Sequence, residues 1–116
     1  MSLTGVGIAL IDMTALPVDA VDDAALPLTA SEREYCRGKA DPRPHVAARL
    51  AAKQAACRAF GRPEDQSRDF EVLLDPEGRP SLSLPADLDG LTTHLSLTHD
   101  GDYAMATVLA QGQSTR

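Results

Sequence analysis

The feature that most constrains the fold is a long alanine-rich helix in the middle of the chain. The segment AARLAAKQAACRAFG, residues 47–61, carries alanine at positions where small side chains permit close packing against a neighbouring element. Asp41 followed by Pro42 predicts the start of this helix, because proline is favoured in a first turn. Gly61 is placed to end the helix just after Phe60.

The other predicted elements are one short helix and several strands. Apolar residues at 3–13, including GVGIALIDM, predict a buried strand. The GVG lies at the start of this strand and does not link a strand to a helix, which excludes a dinucleotide-binding fingerprint. Thr29-Ala-Ser-Glu32 is a capping box that predicts a helix through Cys36. Further strands are predicted at 68–74, 80–84, 92–98 and 103–110, with a turn at Asp75–Gly78 and a hairpin at Asp100-Gly101.

This order of elements predicts a single α+β domain with a mostly antiparallel sheet and one long helix. A chain of 116 residues supports one hydrophobic core. Because 43% of the residues are apolar and only 3% aromatic, that core is expected to be aliphatic. We expect the domain to span residues 1–110, and residues 111–116 to form a flexible tail.

The charged residues are unevenly distributed. Residues 1–32 contain five acids and no base, residues 33–62 contain eight bases and two acids, and acids again dominate afterwards. A net charge of −6 with a basic middle favours a small anionic ligand over nucleic acid.

No apolar run approaches the roughly 18 residues of a membrane span, and no signal peptide is recognisable. Cys36 and Cys57 are expected to be reduced and structural, as in a cytoplasmic protein.

The candidate functional residues lie on the long helix and at the end of a strand. Arg49 and Lys53 are four residues apart, as are Gln54 and Arg58, so each pair shares one side of the helix. These residues either keep the helix soluble or point into a site. His99 ends a strand beside the hairpin, where it is either a general base, a phosphate contact or a hydrogen-bonded turn residue.

Taken together, the segments resemble a known enzyme family. The sequence is similar to the holo-acyl-carrier-protein synthases, the small single-domain type of 4′-phosphopantetheinyl transferase, in four ordered blocks: GVGIALIDM, LTASEREYC at 28–36, AARLAAKQAACRAFG and LSLTHDGDYAMATVLA at 95–110. The FEVLLDPEGRPSLSL segment also fits the strand-turn-strand region of that family. The resemblance implies a homotrimer with coenzyme A in the clefts between subunits. It also implies transfer of the phosphopantetheine arm of coenzyme A to a carrier-protein serine, with release of 3′,5′-ADP.

The resemblance implies a bound Mg²⁺. In the family this ion is held by an aspartate in the first block and by the glutamate of a Lys-Glu pair on the long helix. Here these positions are occupied by Ala9 and by Gln54, which follows Lys53. Mg²⁺ normally requires one or two carboxylates together with waters and substrate phosphates. Asp12 is expected to point to the opposite face of the strand from Ala9. The resemblance therefore implies a metal site with neither carboxylate intact.

The cationic part of the family pattern is retained. The resemblance assigns coenzyme A binding to Arg49, Lys53, Arg58 and His99, and makes Lys53 and Gln54 the catalytic positions, with Gln54 in place of the glutamate. Two hypotheses follow. The chain is either a catalytically weakened transferase acting on an acyl or peptidyl carrier protein, or a non-catalytic homologue. In the second case it would bind coenzyme A, a carrier protein or an active transferase as its partner.

A second departure from the family lies in the connector after the first strand, TALPVDAVDDAAL at residues 14–26. In the family this region carries bases that dock the acidic carrier protein, whereas here it contains three aspartates and no base. The connector is therefore expected to repel an acidic carrier. The alternative is that docking has moved to a set of four bases in the next segment: Arg33, Arg37, Lys39 and Arg43.

Overall fold

The secondary structure follows the order of strand, helices and strands that the sequence predicts. The computed structural model describes residues 2–112. Along them lie strand β1 (Ser2–Asp12), helices α1 (Ala30–Arg37) and α2 (Arg43–Ala59), and strands β2 (Glu71–Leu74), β3 (Pro80–Ser83), β4 (Thr92–Asp100) and β5 (Tyr103–Gly112). Strands β1, β5 and β4 form one antiparallel sheet in that order, and β2 pairs with β3 in a second antiparallel sheet.

Helix α2 begins and ends where the sequence predicts. The Asp41 carboxylate accepts a hydrogen bond from the Arg43 N–H at 3.2 Å, and Pro42 immediately precedes the helix. At the other end Gly61 has a φ of +68°, a left-handed conformation that costs glycine little. Both boundaries are therefore set by local interactions that the sequence makes visible.

Close contact between β1 and α2 depends on small residues in both elements. A Cβ atom added at Gly7 would lie 1.8 Å from the carbonyl oxygen of Ala55, and one at Gly5 would lie 2.0 Å from that of Ala59. Ala9 continues this inward-facing row of β1 and is only 1% exposed. The glycines of the GVG segment therefore serve the packing of strand on helix.

The capping box at the start of α1 is confirmed and has an additional partner. The Thr29 hydroxyl accepts the Glu32 N–H at 3.2 Å, and the Glu32 carboxylate accepts the Thr29 N–H at 2.9 Å. The other oxygen of Glu32 accepts the Val72 N–H at 2.6 Å. Glu32 thus joins the first turn of α1 to β2, and this long-range bond has no counterpart in the local sequence pattern.

The two cysteines are free and buried. Burial raises the pKa of both thiols, and at Cys57 a hydrogen bond with Ser67, with 3.6 Å between Sγ and Oγ, opposes this rise. A thiol that stays protonated is a poor nucleophile and a poor metal ligand. Both residues therefore fit the structural role that the sequence predicts.

Some predicted boundaries need correction. Residues 68–70 precede the strand, because a 3-10 helix spans Glu64–Asp69 and delays β2 until Glu71. The predicted tail begins too early, since Gln111 and Gly112 belong to β5; residues 113–116 lie outside the described part of the chain.

Along residues 2–112, no helix has both the length and the apolar character that crossing a membrane requires.

The side of the β1-β5-β4 sheet that faces away from α2 carries exposed apolar residues. We call this surface the outer face; on β1 and β5 it comprises Val6, Ile8, Leu10, Tyr103, Met105 and Leu109. Ile8, opposite Thr107 in the pairing of these strands, is 55% exposed. In strands, alternate residues point to opposite faces, so the inward row of small residues on β1 leaves its larger apolar residues outside.

Candidate functional site

The structure separates the predicted site residues into three environments around α2. Lys53 lies in the interior, Gln54 and Arg58 lie beside β1, and Arg49 lies towards the start of the helix, where His99 also approaches. Each environment offers different chemistry.

Lys53 does not face solvent. Its side chain is 0% exposed, forms an ion pair with Glu32 and donates a hydrogen bond to the carbonyl oxygen of Pro27 at 2.6 Å. Burial lowers the pKa of Lys53, and the hydrogen bond with Glu32 opposes this. Lys53 therefore ties α2 to α1 and to Pro27, just after the connector. That Lys53 contacts coenzyme A or acts in catalysis stays a prediction, and the burial of its ammonium weighs against it.

Ala9 and Gln54 lie at neighbouring turns of the contact between β1 and α2. Since Gly7 packs on Ala55, Ala9 lies about one helical turn earlier along α2, in the same core cluster as Ala51. The Gln54 side chain is half-buried and borders a cavity of about 390 Å³ that includes Glu64 among its lining residues.

The donor groups at this position do not fit Mg²⁺. Ala9 has no ligand atom, and Gln54 supplies one neutral amide oxygen where the metal requires carboxylates. Across residues 2–112, no three His, Cys, Asp or Glu side chains are arranged to hold a metal. Asp12 does not substitute, because it is exposed and its carboxylate accepts hydrogen bonds from the backbone and hydroxyl of Thr14 at 2.9 and 2.7 Å.

Arg58 lies along the open edge of β1. Its guanidinium donates a hydrogen bond to the carbonyl oxygen of Ile8 at 2.6 Å and pairs with Glu64 at 3.2 Å. About half of its side chain is exposed, so the ion pair contributes little to stability. Arg58 can therefore meet an anion at the surface, in competition with Glu64.

Arg49 is a buried cation on α2. Its side chain is 4% exposed and one of its terminal nitrogens donates to the carbonyl oxygen of His45 at 3.1 Å. The guanidinium carbon lies 4.3 Å from the centre of the Tyr35 ring, and the Nε atom has no hydrogen-bond partner. No ion pair of Arg49 occurs within residues 2–112. A buried guanidinium left partly unpaired retains donors for an anion.

His99 belongs to the same neighbourhood as Arg49. It pairs with Ala104 near the end of β4, and its side chain is exposed. Ala104, the pairing partner of His99, lies in one core cluster with Ala47 of α2, so His99 lies towards the same end of α2 as Arg49. That both residues contact coenzyme A stays a prediction.

Two residues that contact or neighbour Arg49, Tyr35 and His45, were not singled out by sequence reasoning, and Lys39 was considered only as a docking base. His45 and Arg49 are four apart on α2, and this helical spacing was the available signal; Lys39 lies two residues beyond the end of α1. Which faces of the two helices meet could not be read from that spacing.

Two bases of the alternative docking set are engaged by the connector. Arg33 donates to the carbonyl oxygens of Val21 and Leu26 at 2.8 and 2.9 Å, and Arg37 pairs with Asp22 at 2.7 Å. These contacts hold the connector against α1. The acidic character of the connector is thus only partly balanced, and the engaged bases are less available to a carrier protein.

Similarity to known proteins identifies the family. The holo-[acyl-carrier-protein] synthase of Syntrophotalea carbinolica is 42% identical to the chain over 94 residues, which cover 72% of this chain and 73% of that protein. The chain belongs to the holo-acyl-carrier-protein synthase family. The family member of Geobacter sulfurreducens is 37% identical over 122 aligned positions, covering 92% of this chain and 96% of its own. No protein-family model matches the chain.

A solved holo-acyl-carrier-protein synthase confirms the predicted fold. The structure from Bacillus anthracis, described as a complex with coenzyme A (3′,5′-ADP), superimposes with a TM-score of 0.80 at 29% identity and covers 96% of this chain and 98% of that one. The α+β fold with an antiparallel sheet is thus the fold of the holo-acyl-carrier-protein synthases.

Proposed function

We propose that the chain binds coenzyme A and transfers its phosphopantetheine arm to a carrier-protein serine only slowly. The observation that carries this proposal is family membership combined with Ala9 and Gln54 at the expected metal positions. The coenzyme A complex of the Bacillus anthracis relative supports the choice of ligand. Acyl or peptidyl carrier proteins are the corresponding acceptors.

The residues proposed to hold the phosphates of coenzyme A are Arg49, Arg58 and His99. Hydrogen bonds from a cation to a phosphate are worth roughly 1.5–3 kcal/mol each, and solvent screening reduces this at the half-exposed Arg58. Arg49 is the strongest of the three candidates because it is buried and forms no ion pair with any carboxylate among residues 2–112. These cations would bind and orient the pyrophosphate without a metal.

Slow transfer is expected because charge on the transferring phosphoryl group lacks its usual stabilisation. A bound metal supplies several kcal/mol of that stabilisation, and each 1.36 kcal/mol changes the rate tenfold. The side chains at Ala9 and Gln54 do not fit Mg²⁺, so this stabilisation is not expected here.

A second candidate is a non-catalytic homologue that binds coenzyme A or an active transferase. The acidic connector favours it, since Asp19, Asp22 and Asp23 lie where a carrier protein is expected to dock. Like charges across an interface slow association and weaken the complex. In this case coenzyme A binding would persist while transfer is absent at all carrier concentrations.

A transfer assay separates these candidates. We expect calorimetry to detect weak coenzyme A binding with little dependence on Mg²⁺, because the proposed contacts are cationic side chains. Mass spectrometry of a panel of carrier proteins at high concentration should then show slow gain of phosphopantetheine. Absence of coenzyme A binding, or binding that strictly requires Mg²⁺, would contradict the proposal. Efficient transfer in Mg²⁺ would show that Ala9 and Gln54 are not disabling.

The outer face supports the proposal that the protein assembles as a homotrimer. Light scattering at micromolar concentration should give the mass of three chains, because assembly would bury the exposed apolar residues of β1 and β5. Ile8→Lys should shift the population towards monomer. Val18→Lys is the matched control, since Val18 is 92% exposed on the connector and lies off the outer face. A monomeric unmodified protein would contradict the trimer.

We further propose that the protein acts in the cytoplasm and not on nucleic acid. Free buried thiols are usual in reducing compartments, which supports this location. A net charge of −6 supports a partner other than nucleic acid.

A further inference from the structure

A cavity of about 390 Å³ lies where β1, α2 and the connector meet, and we call it the connector cavity. Its walls include apolar side chains from all three of these elements: Ile11 on β1, Leu16 and Leu26 on the connector, and Leu50 on α2. Its polar lining residues come from α2 and from the 3-10 helix before β2: Gln54, Glu64, Asp65 and Ser67.

The connector wall of this cavity is held in place by bases from other parts of the chain. Arg33, Lys53 and Arg68 donate hydrogen bonds to backbone carbonyl oxygens within residues 21–27, at 2.6 to 3.3 Å. These bonds fix the backbone that carries the apolar wall. The connector cavity is therefore preformed, and a ligand that enters it loses little affinity to ordering the protein.

The polar side chains of the connector cavity are mainly hydrogen-bond acceptors. Glu64 and Asp65 are exposed carboxylates, and the Ser67 hydroxyl already donates to the carbonyl oxygen of Glu64 at 2.6 Å. Arg58 pairs with Glu64 at 3.2 Å, whereas Asp65 forms no ion pair with any residue of 2–112. Carboxylates beside apolar walls favour a cation that is carried on an alkyl stem.

The surface around the connector cavity is also acidic. The connector and the 3-10 helix at Glu64–Asp69 contain three acids each, against one base, Arg68. Arg37 and Arg58 each pair with one of these six acids. Val18, on the same connector, is 92% exposed and offers an apolar contact at the rim. Such a surface attracts a basic partner and repels an acidic one.

We propose that the connector cavity receives a lysine side chain from a basic protein partner. The alkyl stem of this lysine lies against the apolar walls, and its ammonium meets the carboxylates of Asp65 and Glu64 and the amide oxygen of Gln54. Lysine suits the cavity because its charge is compact and its stem is flexible. This inference goes beyond the proposed function, since the partner is opposite in charge to an acidic carrier protein and its binding needs no coenzyme A.

Methyl NMR of the full chain tests the proposal with a blocked peptide, acetyl-Ala-Lys-Ala-Lys-Ala-amide, as the probe. We expect saturable shifts of the methyl groups of Ile11, Leu16, Leu26 and Leu50. Affinity should fall as salt is added, because exposed charges are screened. The same peptide with acetylated lysines keeps the alkyl stems but loses the charge, and it should bind about tenfold more weakly or worse.

Asp65→Asn removes one charge from the connector cavity and keeps the shape of the side chain. It should weaken peptide binding about two- to fivefold, as expected for the loss of an exposed ion pair. Since Asp65 is exposed, we expect the variant to fold normally. Asp89→Asn is the matched control; Asp89 is also exposed but lies outside the cavity, and its substitution should leave the affinity unchanged.

Three results would overturn the lysine assignment: no saturable methyl shift, equal binding of the acetylated peptide, or full affinity in Asp65→Asn. Binding of the free diamine putrescine as tightly as the peptide would overturn the assignment to a protein partner and identify a small amine as the ligand.

Coenzyme A calorimetry on the same protein separates this inference from the proposed function. Coenzyme A binding without peptide binding would overturn the lysine assignment alone. Peptide binding without coenzyme A binding would support the lysine assignment while the proposed function fails.

Discussion

Ala9→Asp combined with Gln54→Glu should create Mg²⁺ binding and raise the rate of phosphopantetheine transfer by orders of magnitude. Each single substitution should do far less, because one carboxylate among waters gives Mg²⁺ little fixed orientation. The two changes should therefore be strongly non-additive, as expected for residues that share one site. Transfer is measured by mass spectrometry of the carrier protein with and without Mg²⁺, and binding by calorimetry.

The burial of Ala9 provides a second readout for this prediction. Ala9 is 1% exposed among core alanines, so an added carboxylate without a cation should lower the melting temperature. In the double variant, Mg²⁺ should recover part of that loss. Ala9→Asn with the natural Gln54 is the matched control, since it is similar in size but carries no charge. A double variant that is folded but gains neither Mg²⁺ binding nor transfer would show that other parts of the site have also been lost.

Gly7→Ala should destabilise the fold by about 3 kcal/mol or more, at the upper end of the usual cost of overpacking. The added methyl would lie 1.8 Å from the carbonyl oxygen of Ala55 and 2.7 Å from the backbone nitrogen of Ala59, and backbone atoms of a helix cannot yield as a flexible side chain does. Helix α2 would therefore have to move away from β1. Such a loss is a large part of the stability of a small domain. Urea unfolding followed by circular dichroism measures it.

Gly38→Ala is the control for this experiment. The nearest atom to a Cβ at Gly38 is the carbonyl oxygen of Tyr35 at 3.5 Å, an ordinary contact, and the backbone there is helical with φ −73°. We expect a change within about 0.5 kcal/mol. Equal stability of Gly7→Ala and Gly38→Ala would show that the β1–α2 contact is looser than the structure indicates.

Local interactions explain why much of the fold was predictable. The Thr29 capping box, the Asp41-Pro42 start of α2 and its glycine stop all act between residues close in the chain, so their sequence patterns are sufficient. The hairpin predicted at Asp100-Gly101 is of the same kind, although its two loop residues are Gly101, at φ +57°, and Asp102, because Asp100 pairs with Tyr103. The prediction that β2 starts at residue 68 was wrong. The alternating residues there belong to a 3-10 helix, in which the Ser67 hydroxyl donates to the carbonyl oxygen of Glu64 at 2.6 Å.

The sequence by itself determined the order of elements, the ends of α2 and the family. The family resemblance implied that Ala9 and Gln54 stand at the carboxylate positions of its metal site, which stays a prediction. Only the tertiary structure decided how buried each cation on α2 is and which groups it contacts. Lys53 contacts Glu32 and the carbonyl oxygen of Pro27 only in the folded chain, since Pro27 lies 26 residues before it in the sequence. A helical spacing shows which residues share a side of one helix, but burial and pairing depend on which other element covers that side.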